Sequence, residues 1–302
     1  MSARELDAAG IFTPELRASY AECKRLNSLH GKTYFLATLL LPPAKRPFVH
    51  ALYGFARYAD EIVDDLASTL SAKEKESALS TWSEQILNDL ANGVSHDHIG
   101  AALVDTVQRF DIPIEHFRAF LHSMAMDISI SRYESYEDLL EYVYGSAAVI
   151  GLEMVPILGP LHNDAFEAAK KLGIAFQLAN FIRDVDEDLD RGRVYLPLKE
   201  LGQFGVTREM LEERVLTPEI IEALKFQIAR VRQLQAEAAP GIQLLEATSR
   251  PCIEAASTLY CGIVDEVEKI GYDIFNHRAT TSTARRVRVA GAAFVKRQLI
   301  SR

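Results

Sequence analysis

The chain has 302 residues, of which 48% are hydrophobic and 25% charged, and its formal net charge is −9. This composition is typical of a soluble globular protein, and an acidic balance without a long basic stripe argues against a nucleic-acid-binding protein. The three cysteines, Cys23, Cys252 and Cys261, form no C-x-x-C pair. The sequence therefore predicts neither a disulfide framework nor a zinc site, and it indicates a reducing, cytoplasmic location.

The beginning of the chain predicts no signal peptide. Residues 1–20 mix charged residues with short apolar pieces, without a basic region followed by an apolar run, and we expect them to be irregular. The two most apolar stretches, 35–43 and 146–161, are shorter than the ~20 largely uncharged residues of a spanning helix. The second stretch also contains Glu153 and Pro156. The sequence therefore predicts no membrane-spanning segment.

Apolar residues recur at helical spacing along almost the whole chain. Sustained period-2 alternation bounded by hairpin turns is not found, so the sequence predicts an all-α fold. Proline and glycine interrupt the helical pattern and leave roughly eight to ten helices of ordinary length, with no convincing linker between them. We therefore expect residues 1–302 to form a single helical domain.

The first helix of chemical interest is predicted between Arg46 and Leu66. Its apolar residues advance mostly by three or four positions and form one stripe: Leu52, Phe55, Ala59, Ile62, Val63 and Leu66. The opposite face carries polar residues: Tyr53, Arg57, Asp60, Glu61 and Asp64. Because Asp60 and Asp64 are four residues apart, we expect them to share a face, with Cβ atoms about 5–6 Å apart.

A second helix of the same kind is predicted within residues 163–190. Its apolar face consists of Ile174, Leu178, Phe181, Val185 and Leu189. The other face consists of Gly173, Gln177, Asn180, Asp184 and Asp188. Asn180, Asp184 and Asp188 recur every four residues, so we expect these three side chains to share a face as well.

Like charges at this spacing repel each other, so each aspartate pair needs either solvent or a compensating cation. A single D-x-x-x-D pair in an acidic protein most often marks a solvated surface helix. Two such helices facing each other supply oxygen ligands, which suit Mg²⁺, or Mn²⁺ in its place, bridging to a diphosphate. Arg57 and Arg183 can neutralise the remaining phosphate oxygens. The pattern is typical of enzymes that ionise an allylic diphosphate beside a dry apolar cavity.

Five segments in chain order carry a family resemblance. Residues 30–42 read H-G-K-T-Y-F-L-A-T-L-L-L-P, residues 53–65 read Y-G-F-A-R-Y-A-D-E-I-V-D-D, and residues 177–197 read Q-L-A-N-F-I-R-D-V-D-E-D-L-D-R-G-R-V-Y-L-P. Residues 142–151 contain a tyrosine on an apolar helix, and residues 260–278 contain Tyr-x-x-Ile and Gly-Tyr-Asp. In this order the segments resemble the squalene/phytoene synthase family, the head-to-head branch of isoprenoid synthases, over nearly the whole chain.

The resemblance implies an isoprenoid-synthase helical bundle around a central apolar cavity, and it implies roles for residues at matching positions. The implied magnesium ligands are Asp60, Asp64, Asn180, Asp184 and Asp188. The implied diphosphate contacts are Lys32, Arg57, Gln177, Arg183, Tyr260 and Arg278. The residues implied near the first prenyl chain are Thr33, Tyr34 and Tyr53. Tyr142 matches the central tyrosine that stabilises cations during coupling, although ordinary helix packing is an alternative for Tyr53, Tyr142 and Tyr260.

The implied reaction joins two identical prenyl diphosphates through a cyclopropylcarbinyl diphosphate. The likeness of residues 30–46, 145–151 and 180–197 to bacterial carotenoid enzymes favours two geranylgeranyl diphosphates as substrates, phytoene as product and no requirement for NADPH. Squalene or dehydrosqualene formation from farnesyl diphosphate and prenylation of an aromatic acceptor are alternatives on the same framework. A non-catalytic assembly factor is a further alternative, which the loss of metal-binding aspartates would mark; all of them are present here.

Five positions depart from the residues common in the family: Glu61, Ser146, Ala148, Ala179 and Asp186. None of these positions belongs to the implied set of magnesium ligands. They bear on the shape of the cavity, so the sequence leaves the substrate chain length and the product open.

The C-terminal segment contrasts with the acidic chain. Residues 278–302 contain no Asp or Glu and carry seven basic residues, five of which lie near apolar ones: Arg285, Arg286, Arg288, Lys296 and Arg297. This pattern fits a solvated helix end and a lipid-facing helix equally well, the latter as a peripheral contact with the inner face of a membrane. The sequence also leaves both a monomer and a homodimer open.

Overall fold

A computed structural model describes residues 3–64 and 70–300, except for the side chain of Asp64. Within these residues, the α-helices are α1 Ala3–Ala8, α2 Pro14–His30, α3 Lys32–Thr38, α4 Arg46–Asp64, α5 Ala72–Asn92, α6 Gly100–Phe110, α7 Ile114–Ser129, α8 Tyr136–Val143, α9 Val149–Leu158, α10 Asp164–Arg183, α11 Val185–Asp190, α12 Leu198–Gln203, α13 Arg208–Glu212, α14 Pro218–Ala238, α15 Arg250–Tyr260, α16 Ile263–Lys269 and α17 Thr283–Ile300. A π-helical turn spans Tyr144–Ala148, and a 3₁₀ helix spans Ala239–Leu244. The described residues contain no strand, only two isolated bridges, so the predicted all-α fold is confirmed.

The expectation that residues 1–20 are irregular is wrong for most of that segment. Helix α1 occupies Ala3–Ala8, and α2 begins at Pro14, where proline suits the first helical turn because its missing N–H has no helical partner there. Tyr20, Cys23 and Leu26 are buried at three-residue spacing against the rest of the fold. This burial orders the segment, although the charged residues between its apolar positions make the apolar stripe hard to recognise in the sequence.

Helix α4 buries the predicted apolar stripe. Leu52, Phe55, Ala59 and Val63 are all buried, and the helix packs against α2, α5, α6 and α7. The last residue of the predicted stripe, Leu66, lies outside the described residues. Because the buried stripe fixes the rotation of the helix, the polar face that carries Arg57 and Asp60 is turned toward a cavity.

Helix α10 lies at the centre of the fold, where it contacts α9, α14, α15 and α16. The single helix expected over residues 163–190 is divided at Asp184, whose backbone angles are not helical (φ −100°, ψ 13°). The hydrogen bonds continue across the break, from the Asp184 N–H to the Asn180 carbonyl at 2.9 Å and from the Asp188 N–H to the Asp184 carbonyl at 2.8 Å. As a result, Asn180, Asp184 and Asp188 still line one cavity.

Two glycines allow backbones to touch beside a neighbouring, apolar cavity. A Cβ atom on Gly151 of α9 would lie 2.4 Å from the Ala169 carbonyl oxygen, and one on Gly173 of α10 would lie 2.5 Å from the Ala147 carbonyl oxygen. Real Cβ atoms do not approach an oxygen so closely, so a larger residue at either position would push α10 away from its neighbours. Glycine is therefore required here by close approach rather than by backbone angles.

The helical segment Tyr136–Leu158 has the length and composition of a membrane span, with a mean hydropathy of 1.2. Of the most apolar 18 residues of this segment, 56% are buried inside the fold. Core helices pass the same test of length and composition, and here the segment supplies walls to both cavities described below.

Candidate active site

A polar cavity of about 340 Å³ lies between α4, α7, α8, α10 and α11. Most of the residues predicted to act in catalysis or binding line it, from both aspartate-rich segments: Tyr53, Arg57, Asp60, Tyr142, Gln177, Asn180, Arg183, Asp184 and Asp188. These residues are up to 135 positions apart in the chain. The fold therefore brings residues of both acidic helices to the walls of one cavity.

An apolar cavity of about 230 Å³ adjoins the polar one. Its walls come from α3, the π-helical turn, α9, α10 and α15, and they include Tyr34 and Tyr260. Ser146 and Gln177 line both cavities. The site therefore consists of a charged compartment that continues into an apolar one.

On the α4 wall, the acidic residues pair with an arginine of the same helix. The Arg57 guanidinium donates to Asp60 at 2.5 Å and to Glu61 at 3.0 Å. His30 approaches the same Glu61 carboxylate at 3.6 Å. Arg57 thus lies between two carboxylates at the edge of the polar cavity, within reach of an anion bound there.

On the α10–α11 wall, Asp184 pairs with two arginines. Arg183 donates to both of its carboxylate oxygens, and Arg278 donates to Oδ1 at 3.1 Å. Arg278 also pairs with Glu187 at 2.7 Å. Two arginines therefore converge on Asp184, the residue directly before the first turn of α11.

Two buried polar groups on this wall, the Asp188 carboxylate and the Asn180 side-chain oxygen, are not fully balanced by hydrogen-bond donors or positive charges. Asp188 is buried, and burial, followed by the nearby charge of Asp184, raises its pKa to about 7, against the opposing effect of Arg191 and Arg193. The Asn180 Oδ1 atom is buried and accepts no hydrogen bond from any described residue. A buried carboxylate and a buried amide oxygen without a donor are suitable ligands for a hard divalent cation.

The described side chains do not by themselves form a complete set of metal ligands. Among them, no group of three or more His, Cys, Asp or Glu residues lies close enough together to hold a metal ion. Asp60 lies on the wall opposite Asp184 and Asp188, and the side chain of Asp64 lies outside the described residues. The oxygen donors fit magnesium in kind, and the metal assignment stays a prediction.

The tyrosines of the site combine hydrogen bonding with exposure to the cavities. Tyr142 donates its hydroxyl to Asp127 at 2.6 Å, and its ring lines the polar cavity. Tyr34 and Tyr53 lie with ring centroids 5.5 Å apart, and Tyr260 stacks on Phe176 at 4.8 Å. Burial raises the pKa of both Tyr53 and Tyr260 to about 12, so these side chains remain neutral at physiological pH.

Three predicted residues line neither cavity: Lys32, Thr33 and Arg278. Lys32 is exposed at the start of α3, next to Thr33. Arg278 reaches the polar cavity only through its ion pair with Asp184. Their contacts with substrate stay predictions.

The sequence analysis missed Asp127, Arg191 and Tyr195, which also line the polar cavity. Tyr195 and Arg191 lie within the quoted second aspartate-rich segment, so the motif itself could have pointed to them. Asp127 follows Phe120 and Met124 on the buried face of α7, by seven and three residues. A carboxylate on an otherwise apolar helix face is the signal that could have revealed it.

Comparison with known proteins agrees with this geometry. The sequence model of the squalene/phytoene synthase family matches residues 28–286. The chain is similar to phytoene synthase 1, chloroplastic, of Arabidopsis thaliana, with 37% identity over 288 residues, covering 93% of this chain and 67% of the relative. It is also similar to 15-cis-phytoene synthase of Synechocystis sp., with 35% identity over 294 residues, covering 93% of this chain and 86% of the relative.

Among solved structures, the fold is similar to the crystal structure of a dehydrosqualene synthase in complex with ligand. The TM-score is 0.85 at 28% identity, and the match covers 95% of this chain and 99% of that one. The predicted family and helical architecture are both confirmed. With its two aspartate-rich segments on facing walls of one cavity and the family model matched over most of its length, the chain belongs to the squalene/phytoene synthase family.

Proposed function

We propose that the protein is a phytoene synthase, a prenyltransferase that condenses two geranylgeranyl diphosphates head to head and releases diphosphate. The relatives named above support the choice of reaction. The observation that carries the proposal is the joined pair of cavities, in which Ser146 and Gln177 link a charged compartment to an apolar one. A prenyl diphosphate has the same division, because its head is anionic and its tail is a hydrocarbon.

The depth of the apolar cavity supports a long prenyl chain. Its lining on α10 runs from Gln177, at the polar cavity, to Ala165, twelve residues earlier. Because an α-helix rises 1.5 Å per residue, this wall is about 18 Å deep. Alanines and glycines line much of it, at Ala165, Ala168, Ala169 and Gly173, which leaves room for an extended chain along the helix.

Magnesium, when bound by Asp60, Asp64, Asn180, Asp184 and Asp188, supplies the positive charge that stabilises the departing diphosphate. Arg57 and Arg183 lie at the same cavity and add hydrogen bonds to the phosphate oxygens, in the fork geometry that suits such anions. Arg278, through its ion pair with Asp184, adds a third arginine to this group at the start of α11. The chain thus holds the leaving group at the polar end of the site.

The remaining walls protect the cation that departure of the diphosphate leaves on the prenyl chain. Phe120, Met124 and Phe181 line the polar cavity beside Tyr142 and give that side an apolar surface. The neutral Tyr142 ring presents π electrons to a positive charge. Rearrangement to phytoene ends in loss of a proton, so the proposed route uses no hydride donor.

The product assay tests this proposal. Purified protein with magnesium receives geranylgeranyl or farnesyl diphosphate, with and without NADPH, and a hexane extract is analysed by mass spectrometry. We expect phytoene from geranylgeranyl diphosphate without NADPH. Squalene or dehydrosqualene from farnesyl diphosphate alone would replace the proposal by one of those activities, and no hydrocarbon from either substrate would refute both.

A substitution at the deep end of the cavity sharpens the same assay. Ala165→Phe fills the end of the α10 wall, so we expect it to lower turnover of geranylgeranyl diphosphate more than turnover of farnesyl diphosphate. Equal effects on both substrates would show that the tail does not reach Ala165. Leu161→Phe is the matched control, because Leu161 is exposed and lines neither cavity.

We further propose that α17 rests on an anionic lipid surface. Four large apolar side chains on this helix are between 49% and 68% exposed: Val287, Phe294, Val295 and Leu299. The helix packs against α3 and α15, which both line the apolar cavity, so a lipid surface at α17 lies close to the hydrocarbon product. Part of its basic charge is neutralised, since Arg285 pairs with Asp265 and Lys296 pairs with Glu254. Apolar insertion and the remaining basic charge therefore both contribute to the contact.

Sedimentation with vesicles tests the lipid contact. We expect the protein to bind vesicles of phosphatidylglycerol more strongly than vesicles of phosphatidylcholine, and the double substitution Phe294→Ser and Leu299→Ser to abolish most of the binding. Val94→Ser with Val215→Ser is the control, because both residues are exposed elsewhere on the surface. Unchanged sedimentation of the α17 variant would contradict the proposal and leave α17 a solvated helix end.

A further inference from the structure

A buried carboxylate joins two tyrosines of the polar cavity. Asp127, near the end of α7, accepts a hydrogen bond from the Tyr142 hydroxyl on Oδ2 at 2.6 Å and another from the Tyr195 hydroxyl on Oδ1 at 2.8 Å. Asp127 is 8% exposed, and all three residues line the polar cavity. They come from α7, α8 and the segment after α11, so this one side chain connects three parts of the fold.

Other contacts fix the positions of these groups. Arg193 donates to the backbone carbonyl of Asp127 at 2.7 Å, and its guanidinium lies 3.5 Å from the Tyr195 hydroxyl. The Tyr195 ring stacks on Phe181, with centroids 4.2 Å apart and planes 8° apart. Ser123 donates to the Tyr142 carbonyl at 2.8 Å. The tyrosine rings and the carboxylate are therefore held before any ligand arrives.

The direction of the two hydrogen bonds matters for the cavity. A tyrosine hydroxyl has one proton, and an ionised carboxylate can only accept. Both protons therefore point at Asp127, so neither hydroxyl presents its proton to the cavity that the two tyrosines line. Burial, with the charge of Asp127 as a further cause, raises the pKa of Tyr142 well above its usual value, which keeps the hydroxyl a donor.

We infer that Asp127 is a positioning residue that holds Tyr142 and Tyr195 as an electron-rich wall for the carbocation. The inference rests on the proposed function, because that reaction forms a positive charge in this cavity. The wall lies beside the acidic residues of α11 without being part of the implied magnesium ligand set. Asp127 acts through the tyrosines that it orients, and its negative charge at the same wall of the cavity adds to the attraction for a cation.

The variant Asp127→Asn tests the inference with little change in shape. An amide offers one accepting oxygen and one donating nitrogen, so it can satisfy only one of the two hydroxyl donors. The other tyrosine must turn its proton elsewhere, and the buried charge is lost. With geranylgeranyl diphosphate, we expect kcat for hydrocarbon to fall about tenfold or more with KM changed less than about twofold, and a larger share of substrate to leave as prenyl alcohols.

A binding measurement tests the same point without turnover. The probes are a prenylated trialkylammonium ion and its uncharged carbon isostere, each titrated calorimetrically in the presence of magnesium and inorganic diphosphate. We expect Asp127→Asn to weaken binding of the ammonium probe about tenfold and to leave the neutral probe unchanged. Equal losses for both probes, or no loss for either, would overturn the inference, whether or not the wild-type protein forms hydrocarbon.

Two tyrosine variants complete the comparison. Tyr195→Phe keeps the stacked ring and removes one donor to Asp127, so we expect a smaller but selective loss for the ammonium probe. Tyr133→Phe is the matched control, because the Tyr133 hydroxyl is buried nearby and forms no hydrogen bond with the described residues. A loss as large in Tyr133→Phe as in Tyr195→Phe would assign the effect to packing instead and overturn the positioning role.

Discussion

Replacement of Asp60 or Asp184 by alanine is expected to lower kcat for hydrocarbon formation by about 10²- to 10³-fold or more. Each aspartate lies on one of the two facing walls of the polar cavity, and each is a proposed magnesium ligand. Loss of either ligand removes metal charge from the departing diphosphate and leaves its arginine partner, Arg57 or Arg183, without the carboxylate that orients it.

The same variants should remain folded. Asp60 is partly exposed at the cavity, and its removal leaves the buried stripe of α4 intact. The measurement pairs hydrocarbon yield with helical content from circular dichroism. Asp190→Ala is the matched control, because Asp190 belongs to the same acidic segment, pairs with Arg214 and lines neither cavity. Near-normal turnover in both Asp60→Ala and Asp184→Ala would contradict the metal assignment.

Replacement of Glu153 by methionine is expected to stabilise the protein, and the gain should grow with pH. Glu153 of α9 is completely buried, and neither carboxylate oxygen has a hydrogen-bond partner among the described residues. Burial therefore raises its pKa well above the usual value. Methionine has a similar length without polar atoms, so it removes the cost of burying an unpaired group, on the order of 1–3 kcal/mol.

The pH dependence follows from proton binding. Above the pKa of the unfolded chain, folding requires Glu153 to take up a proton, because the folded state keeps the carboxyl neutral. The free energy of unfolding therefore falls by about 1.4 kcal/mol per pH unit from this group, as the pH rises from the unfolded to the folded pKa. Below the pKa of the unfolded chain, Glu153 is protonated in both states, so folding takes up no proton there and the protein retains its full stability.

Urea unfolding at pH 5, 6, 7 and 8 measures this effect. We expect Glu153→Met and Glu153→Gln to flatten the decline with pH, whereas only the methionine variant also gains stability at pH 5. Asp188, whose pKa is also raised, adds a decline of its own, and Asp188→Asn separates the two contributions. Parallel pH profiles for the wild type and both Glu153 variants would show that the carboxyl is not buried as described.

The helices could be predicted where their apolar residues recur every three or four positions within one short segment. Leu52, Phe55, Ala59 and Val63 are separated by three or four residues, so one helix stripe and its opposite polar face can be read from one short segment. The pairing of the two aspartate-rich segments required a family resemblance, because nothing in either segment alone specifies that they face each other.

Other features depend on contacts that no local pattern contains. Asp127 and Tyr195 are 68 residues apart, and their hydrogen bond exists only because α7 and the segment after α11 meet in the fold. The helices within residues 1–20 depend on burial against other elements, of Leu6 in α1 and of Tyr20 in α2. The break at Asp184 occurs within a continuous helical pattern, where local spacing gives no warning of it.

The ion pairs of the polar cavity make its two proposed ligands mutually dependent. Arg57 neutralises Asp60, while Arg183 and Arg278 neutralise Asp184. A diphosphate that binds alone must draw the arginines away from the aspartates, which leaves the carboxylates without a compensating positive charge. A cation that binds alone draws the aspartates away from the arginines, which leaves the guanidinium groups without a compensating negative charge. We therefore expect each ligand to raise the affinity for the other by the same factor. The protein would be an instance of positive cooperativity within one chain, in which metal and substrate load together and metal and released diphosphate depart together.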